Sequence, residues 1–90
     1  MEIKEENKRF ALYDGEKEVG EITWKEAPDN VLEVDHTFVD GNYRGQKLAQ
    51  KLLLAVVEKA RQEGLKIKPV CSFAVKEFNE KPEYADVLAQ

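Results

Sequence analysis

Three groups of residues in this 90-residue chain are of types that do chemistry. His36 is the only histidine and Cys71 the only cysteine. Histidine ordinarily exchanges protons near neutrality, so His36 is a candidate general base or substrate-orienting group. Hydrogen-bonded to backbone inside a strand, it would be structural instead. Cys71 stands just before a predicted helix start, a setting that favours the thiolate. There it can serve as a nucleophile, line a pocket, or be a small buried apolar residue. The third group lies in "DHTFVDGNYRGQKLAQK", residues 35–51, where Gly41 and Gly45 are followed by the cations Arg44, Lys47 and Lys51.

Those cations pose a physical question. Unpaired N–H groups make a helix start positive, and sequences usually place acids there. No Asp or Glu occurs between Asp40 and Glu58. The spacing of three and four puts Arg44, Lys47 and Lys51 on one helical face. The macrodipole opposes each cation by only about 0.3–1 kcal/mol, so a solvated surface could carry them. A glycine-bearing turn between a strand and a helix does more: it aims free amides at an anion. An anion or phosphate site is therefore expected here. It is neither of two common nucleotide loops, since "GxxxxGK[ST]" and "GxGxxG" are both absent.

The elements that must position these residues follow from periodicity. Residues 8–13, "KRFALY", read as a strand, and "DGEK" after them as a hairpin turn. Residues 18–25, "EVGEITWK", read as a second strand, with Ile22 and Trp24 on one core-facing side, and "EAPDN" as a turn. Residues 31–39, "VLEVDHTFV", read as a third strand. Strict alternation puts Leu32, Val34, His36 and Phe38 on one face and Glu33, Asp35 and Thr37 on the other. Residues 44–63 take helical period, with Ala49, Leu52, Leu53, Val56, Val57 and Ala60 as the apolar stripe, Leu54 off it, and Gly64 as the C-terminal cap. Residues 65–71, "LKIKPVC", read as a fourth strand, parallel to the third through a right-handed crossover. Pro69 cannot donate to a ladder, so it belongs at an edge or where the strand leaves its neighbour. Ser72 is a candidate N-cap for a short helix, and "KPEYADVL" reads as a final turn or helix. The expected fold is a single α+β domain over 1–90: a three-stranded antiparallel meander, a β-α-β crossover to a parallel edge strand, and short C-terminal helices in an α/β sandwich.

Composition narrows the class. The net charge of −4 argues against a general nucleic-acid or anionic-membrane binder, so any anion site is local. One cysteine makes no internal disulfide, and one Cys with one His does not make a zinc cage, so no metal is expected. "MEIKEENKRF" is charged and carries no signal-peptide pattern. The longest apolar run, "LLLAVV", is too short to span a bilayer. A cytoplasmic protein is expected, with a monomer favoured.

At "YRGQKLAQKLL" the chain resembles the GNAT superfamily of acetyl-CoA-dependent N-acetyltransferases, whose signature is Arg/Gln-x-x-Gly-x-Gly/Ala between a central strand and a helix. Arg44 and Ala49 match its ends. Lys47 stands where the family has glycine. "DHT", "LLLAVVEKAR", "CSF" and "YADVL" extend the resemblance over about residues 3–88, to a minimal branch of about 90 residues. The resemblance implies a truncated GNAT fold with an opening between the two parallel strands. Pantetheine would lie against the backbone of Thr37, Phe38 and Val39, with pyrophosphate on the amides of about Gln46–Gln50. Arg44, Gly45, Gln46, Lys47, Leu48, Ala49, Gln50 and Lys51 would form that cofactor-binding segment for acetyl-CoA or CoA. Cys71, His36 and Tyr84 are the catalytic candidates the resemblance supports. Cys71 would line the acyl pocket or carry acetyl covalently, and direct attack is the commoner superfamily route. Tyr84 would protonate the departing thiolate or merely pack the last helix. The acceptor would be an unidentified amine, small or protein-borne. A non-catalytic CoA- or acyl-CoA-binding module is the first alternative, and a small nucleotide- or RNA-phosphate-binding domain the second.

Overall fold

The structure, a computed structural model, describes residues 1–89. Its strands are β1 (Glu2–Glu6), β2 (Arg9–Asp14), β3 (Lys17–Ala27), β4 (Val31–Val39) and β5 (Lys66–Pro69). Its helices are α1 (Leu48–Glu63) and α2 (Ser72–Glu80), with 3₁₀ turns at Gly41–Tyr43 and Pro82–Val87. One sheet holds all five strands in the order β1-β2-β3-β4-β5, antiparallel through β4 and parallel between β4 and β5.

The meander thus has four strands rather than the expected three. β1, "EIKEE", holds a single apolar residue, Ile3. An edge strand needs few core contacts, and charges along it discourage pairing with another chain. Its alternation is for that reason invisible in the sequence.

The stripe of α1 lands as its period requires. Leu52, Leu53, Val56, Val57 and Ala60 are buried in one core with Ile22, Trp24, Leu32, Val34 and Ile67, while the first buried position is Leu48 and the expected Ala49 is half-buried beside it. Leu54 is 38% exposed. Trp24 packs its ring against Phe10 at 5.5 Å between centroids, which confirms it as core. Gly64 closes α1 in the left-handed conformation at φ 71°, its N–H returning to the Ala60 carbonyl.

Element boundaries differ from the expectation, and β5 ends at Pro69 rather than at residue 71. α1 starts at Leu48 and not at residue 44, so Arg44 and Lys47 lie before the helix and share no helical face with Lys51. α2 is capped by Cys71 in place of Ser72, which is its first helical residue. After the last 3₁₀ turn the chain returns to the sheet: Ala89 N donates to Ile67 O at 2.8 Å. No helix among the described residues is long and apolar enough to cross a membrane.

Candidate active site

A bulge in β4 sets the geometry. His36 pairs with Thr23, but Val34 pairs with Trp24, so Asp35 is one residue extra on β4. A bulge breaks the alternation of a strand at that point. Leu32 and Val34 face α1, and beyond the bulge so do Thr37, opposite Ile22, and Val39, opposite Gly20. His36 and Phe38 turn to the other side of the sheet, where they are 54% and 47% exposed. The expected grouping of Leu32, Val34, His36 and Phe38 on one face is therefore wrong from residue 35 onward. Asp35 turns the same way as His36, and its Oδ1 accepts the Thr23 hydroxyl at 2.6 Å.

The parallel pair separates early. Its ladder runs only from Val31–Lys66 to Val34–Pro69. Val70 N and Cys71 N then both donate to the Val34 carbonyl, at 2.9 and 3.0 Å, and the chain turns into α2. Pro69 sits at this parting, where the missing N–H does no harm. Beyond Val34, β4 has no strand beside it on that flank. The gap opens into a cleft of about 270 Å³ lined by Thr37, Phe38, Val39, Arg44, Ala49 and Phe73.

Cys71 borders the parting, with Sγ 3.5 Å from Thr37 Oγ1. As N-cap of α2 its carbonyl accepts from Val75 N. The structure does not pair it with His36: the imidazole faces away from the side on which Thr37 meets the thiol. His36 Nε2 instead lies 3.4 Å from Glu21 Oε2. Tyr84 is buried in the core, its ring 5.7 Å from that of Phe78 and its face 5.7 Å from the Lys81 ammonium.

The turn from β4 to α1 is tied down at several points. Asp40 N donates to Val19 O, and Asp40 Oδ1 accepts from Asn42 N. The Tyr43 hydroxyl donates to Asp14 Oδ2 at 2.8 Å, which holds the phenol's pKa above its ordinary value. Arg44 Nε donates to the Val39 carbonyl at 3.2 Å. Lys47 then caps α1 at φ 59°, ψ 32°, the left-handed region. The first bond of the helix is from Lys51 N to Lys47 O. The amides of Leu48, Ala49 and Gln50 donate to no carbonyl or side chain of the described residues. Arg44, Lys47 and Lys51 are exposed, with no ion-pair partner among those residues.

The face away from α1 holds a cluster that the sequence did not reveal. Arg9 donates to Glu6, Glu18 and Glu21, and the Tyr13 hydroxyl donates to Glu6 at 2.7 Å. The Tyr13 bond, then Arg9, holds the Glu6 carboxyl below its ordinary 4.5, and Arg9 does the same for Glu18. A carboxylate whose folded pKa is depressed adds stability above its unfolded value and loses it as pH falls through the folded one. Urea unfolding from neutral to acid pH will therefore show a stability loss that starts near the ordinary glutamate range. Glu6→Gln and Glu18→Gln will each flatten that acid limb, and an unchanged limb would exclude the cluster as its source.

The family model described as GCN5-related N-acetyltransferase matches residues 9–87. Among curated proteins no relative matches. A solution structure of a GCN5-like protein from Staphylococcus aureus is 39% identical, with a TM-score of 0.82, covering 98% of this chain and 87% of that one. N-acetylglutamate synthase from Neisseria gonorrhoeae, complexed with coenzyme A and N-acetyl-glutamate, is 17% identical with a TM-score of 0.68. That likeness covers 81% of this chain and 18% of the other. A streptothricin acetyltransferase-like structure from Bacillus anthracis, in complex with acetyl coenzyme A, is 18% identical with a TM-score of 0.62, over 80% and 43% of the two chains.

Proposed function

The chain belongs to the GCN5-related N-acetyltransferase family, and from that premise we propose that it binds acetyl-CoA at the parting of β4 and β5 and transfers the acetyl group to an amine. One observation carries this reading. The unpaired flank of β4 at Thr37, Phe38 and Val39 runs directly to the free amides of Leu48, Ala49 and Gln50. A pantetheine chain needs an exposed strand edge to bond along. A pyrophosphate needs convergent N–H donors. Both lie on one path here. Gly45, Gln46 and Lys47 shape the turn, and Arg44, Lys47 and Lys51 add charge to it. The coenzyme A and acetyl coenzyme A complexes among the structural neighbours support the same ligand.

Acetyl transfer requires a neutral amine, a polarised thioester carbonyl and an exit for the thiolate. We assign His36 the role of general base, approached from the face away from α1. The amine nitrogen bonds to the carbonyl carbon, the carbon–sulfur bond breaks, and the nitrogen's surplus proton passes to His36. Cys71, beside Thr37 and without a base, lines the acyl end of the cleft, which favours direct attack over an acetyl-Cys71 intermediate. Tyr84 is the candidate proton donor to the leaving thiolate. Its burial against Phe78 makes a packing role the competing reading for that residue.

Mass spectrometry after incubation with acetyl-CoA tests the mechanism. The wild-type mass is expected to stay unchanged, and Cys71→Ser to keep turnover within about tenfold, or roughly 1.4 kcal/mol. An acetyl adduct absent from Cys71→Ser would establish the two-step route. The open, solvent-facing surroundings of His36 favour one second reading, a CoA- or acyl-CoA-binding module without turnover. Coenzyme A binding with no release of free thiol, over a panel of small amines and lysine peptides, would select it.

A further inference from the structure

The sheet face away from α1 carries a connected row of charged groups that ends on the imidazole. Arg9 stands at its centre. Its guanidinium donates from Nε to Glu6 at 3.0 Å, to both oxygens of Glu18 at 2.8 and 2.9 Å, and to Glu21 Oε1 at 2.9 Å. The other oxygen of Glu21, Oε2, is the one 3.4 Å from His36 Nε2. One oxygen of Glu21 is thus anchored while the other stands beside the ring, at a separation slightly longer than a formed hydrogen bond. Asp35, the sequence neighbour of His36, is engaged by the Thr23 hydroxyl. The bulge at Asp35 is what brings His36 across from Thr23 and onto the face that carries Glu21.

We propose that Glu21 is a positioning residue for His36: it accepts the Nε2–H, which fixes the neutral imidazole in the tautomer whose lone pair is on Nδ1. The proposal rests on the reading of His36 as general base. A neutral histidine has one donor and one acceptor nitrogen, and the bond made by one nitrogen sets the state of the other. In the transfer step the amine nitrogen bonds to the acetyl carbon and the sulfur leaves with its electron pair. The surplus proton goes to Nδ1, and the imidazolium that forms faces the Glu21 carboxylate. One guanidinium shared by three carboxylates cannot neutralise them all. Glu21 therefore keeps negative charge for the imidazolium while Arg9 holds its orientation.

The chain has a single histidine, so an imidazole ¹⁵N spectrum reads His36 alone. In alkaline buffer, where an ordinary imidazole is neutral, the wild type is expected to show Nε2 protonated and Nδ1 bare. Glu21→Ala, which leaves no side-chain acceptor there, is expected to shift the signals toward the tautomer mixture of an unrestrained histidine, and Glu21→Asp to recover part of the wild-type pattern. With acetyl-CoA and a lysine peptide or small primary amine, Glu21→Gln should lower kcat about tenfold and leave the KM for acetyl-CoA unchanged. Added to His36→Gln, it should cost nothing further, since two residues acting as one unit are not additive. Ring signals unmoved by Glu21→Ala, or an equal loss from Glu21→Gln in the His36→Gln background, would overturn the proposal. A slow His36→Gln beside a normal Glu21→Gln overturns it and leaves the general base standing. A fully active His36→Gln removes the general base and the proposal with it. The ring measurement needs no acceptor and decides the positioning even where no amine is turned over.

Discussion

Gly20→Ala is expected to destabilise the protein by about 1–3 kcal/mol, the usual cost of adding a methyl to a filled interior, and to displace β4 at the cleft. A Cβ on Gly20 would stand 2.8 Å from the Phe38 carbonyl oxygen and 3.4 Å from Leu12 Cδ2. The carbonyl is backbone and cannot rotate away like a side-chain tip. Gly20 pairs with Val39, at the end of β4 where the ladder to β5 has already stopped. No paired strand on that far flank resists a shift of Thr37–Val39, where only the Thr37–Cys71 contact and the Arg44 bond to the Val39 carbonyl hold it, so the strain should be released into the cleft wall. Urea unfolding reads the loss of stability. Amide shifts of residues 37–39, with the acetyl-CoA concentration giving half-maximal turnover, read the displacement. Unmoved amides with a wild-type unfolding midpoint would show that β3 gives way instead.

Lys47→Gly is expected to act in two directions at once. Lys47 holds φ 59° and ψ 32°, a conformation that costs an L residue about 1–2 kcal/mol and glycine little. Glycine also gains freedom in the unfolded chain, which returns roughly 0.5–1 kcal/mol of that. The net expectation is a gain of about 0.5–1 kcal/mol, or an unfolding midpoint raised by roughly 2–8 °C at this chain length. The same change removes a cation from the turn proposed to hold pyrophosphate. Charge-assisted hydrogen bonds contribute about 1.5–3 kcal/mol, so coenzyme A affinity should fall by roughly 10- to 150-fold. Lys47→Asn separates the two effects: asparagine tolerates the left-handed region but brings no charge. Melting with and without coenzyme A reads both. A glycine variant that is less stable than wild type, or that binds coenzyme A more tightly, would show that the lysine is neither strained nor used.

The position that departs from the family signature is thus the position where the backbone still takes the glycine conformation. The resemblance located it, but the residue type gave no hint of its φ, because lysine ordinarily avoids that region. The rest of the turn was legible for a local reason. Arg44, Gly45 and the acid-free stretch to Glu58 are consecutive, and the pattern that marks them needs no distant partner. The same holds for the stripe of α1 and for Gly64, where helical period and cap chemistry lie within a few residues of each other. The pattern of β4 marks its ends, Val31–Val39, and misplaces its faces beyond Asp35.

That error shows where the boundary lies. By itself the sequence determined the α+β class, the strand–turn–helix unit with its cations, the span of β4, the apolar face of α1 and the confinement of Pro69 to an edge or a parting of strands. Each follows from backbone chemistry or from periodicity within a single element. Only the tertiary structure decided that Asp35 bulges, that His36 and Phe38 therefore leave the side of Thr37 and Cys71, and that Glu21 meets His36 while Arg9 holds three carboxylates. β1 joins the sheet for the same kind of reason, carrying one apolar residue and depending on β2 for its place. These features are set by register between β3 and β4 and between β1 and β2. Register is fixed by burying Trp24, Val34 and Ile22 together on α1. A strand's own alternation specifies two faces, but only its neighbours decide where an extra residue is absorbed.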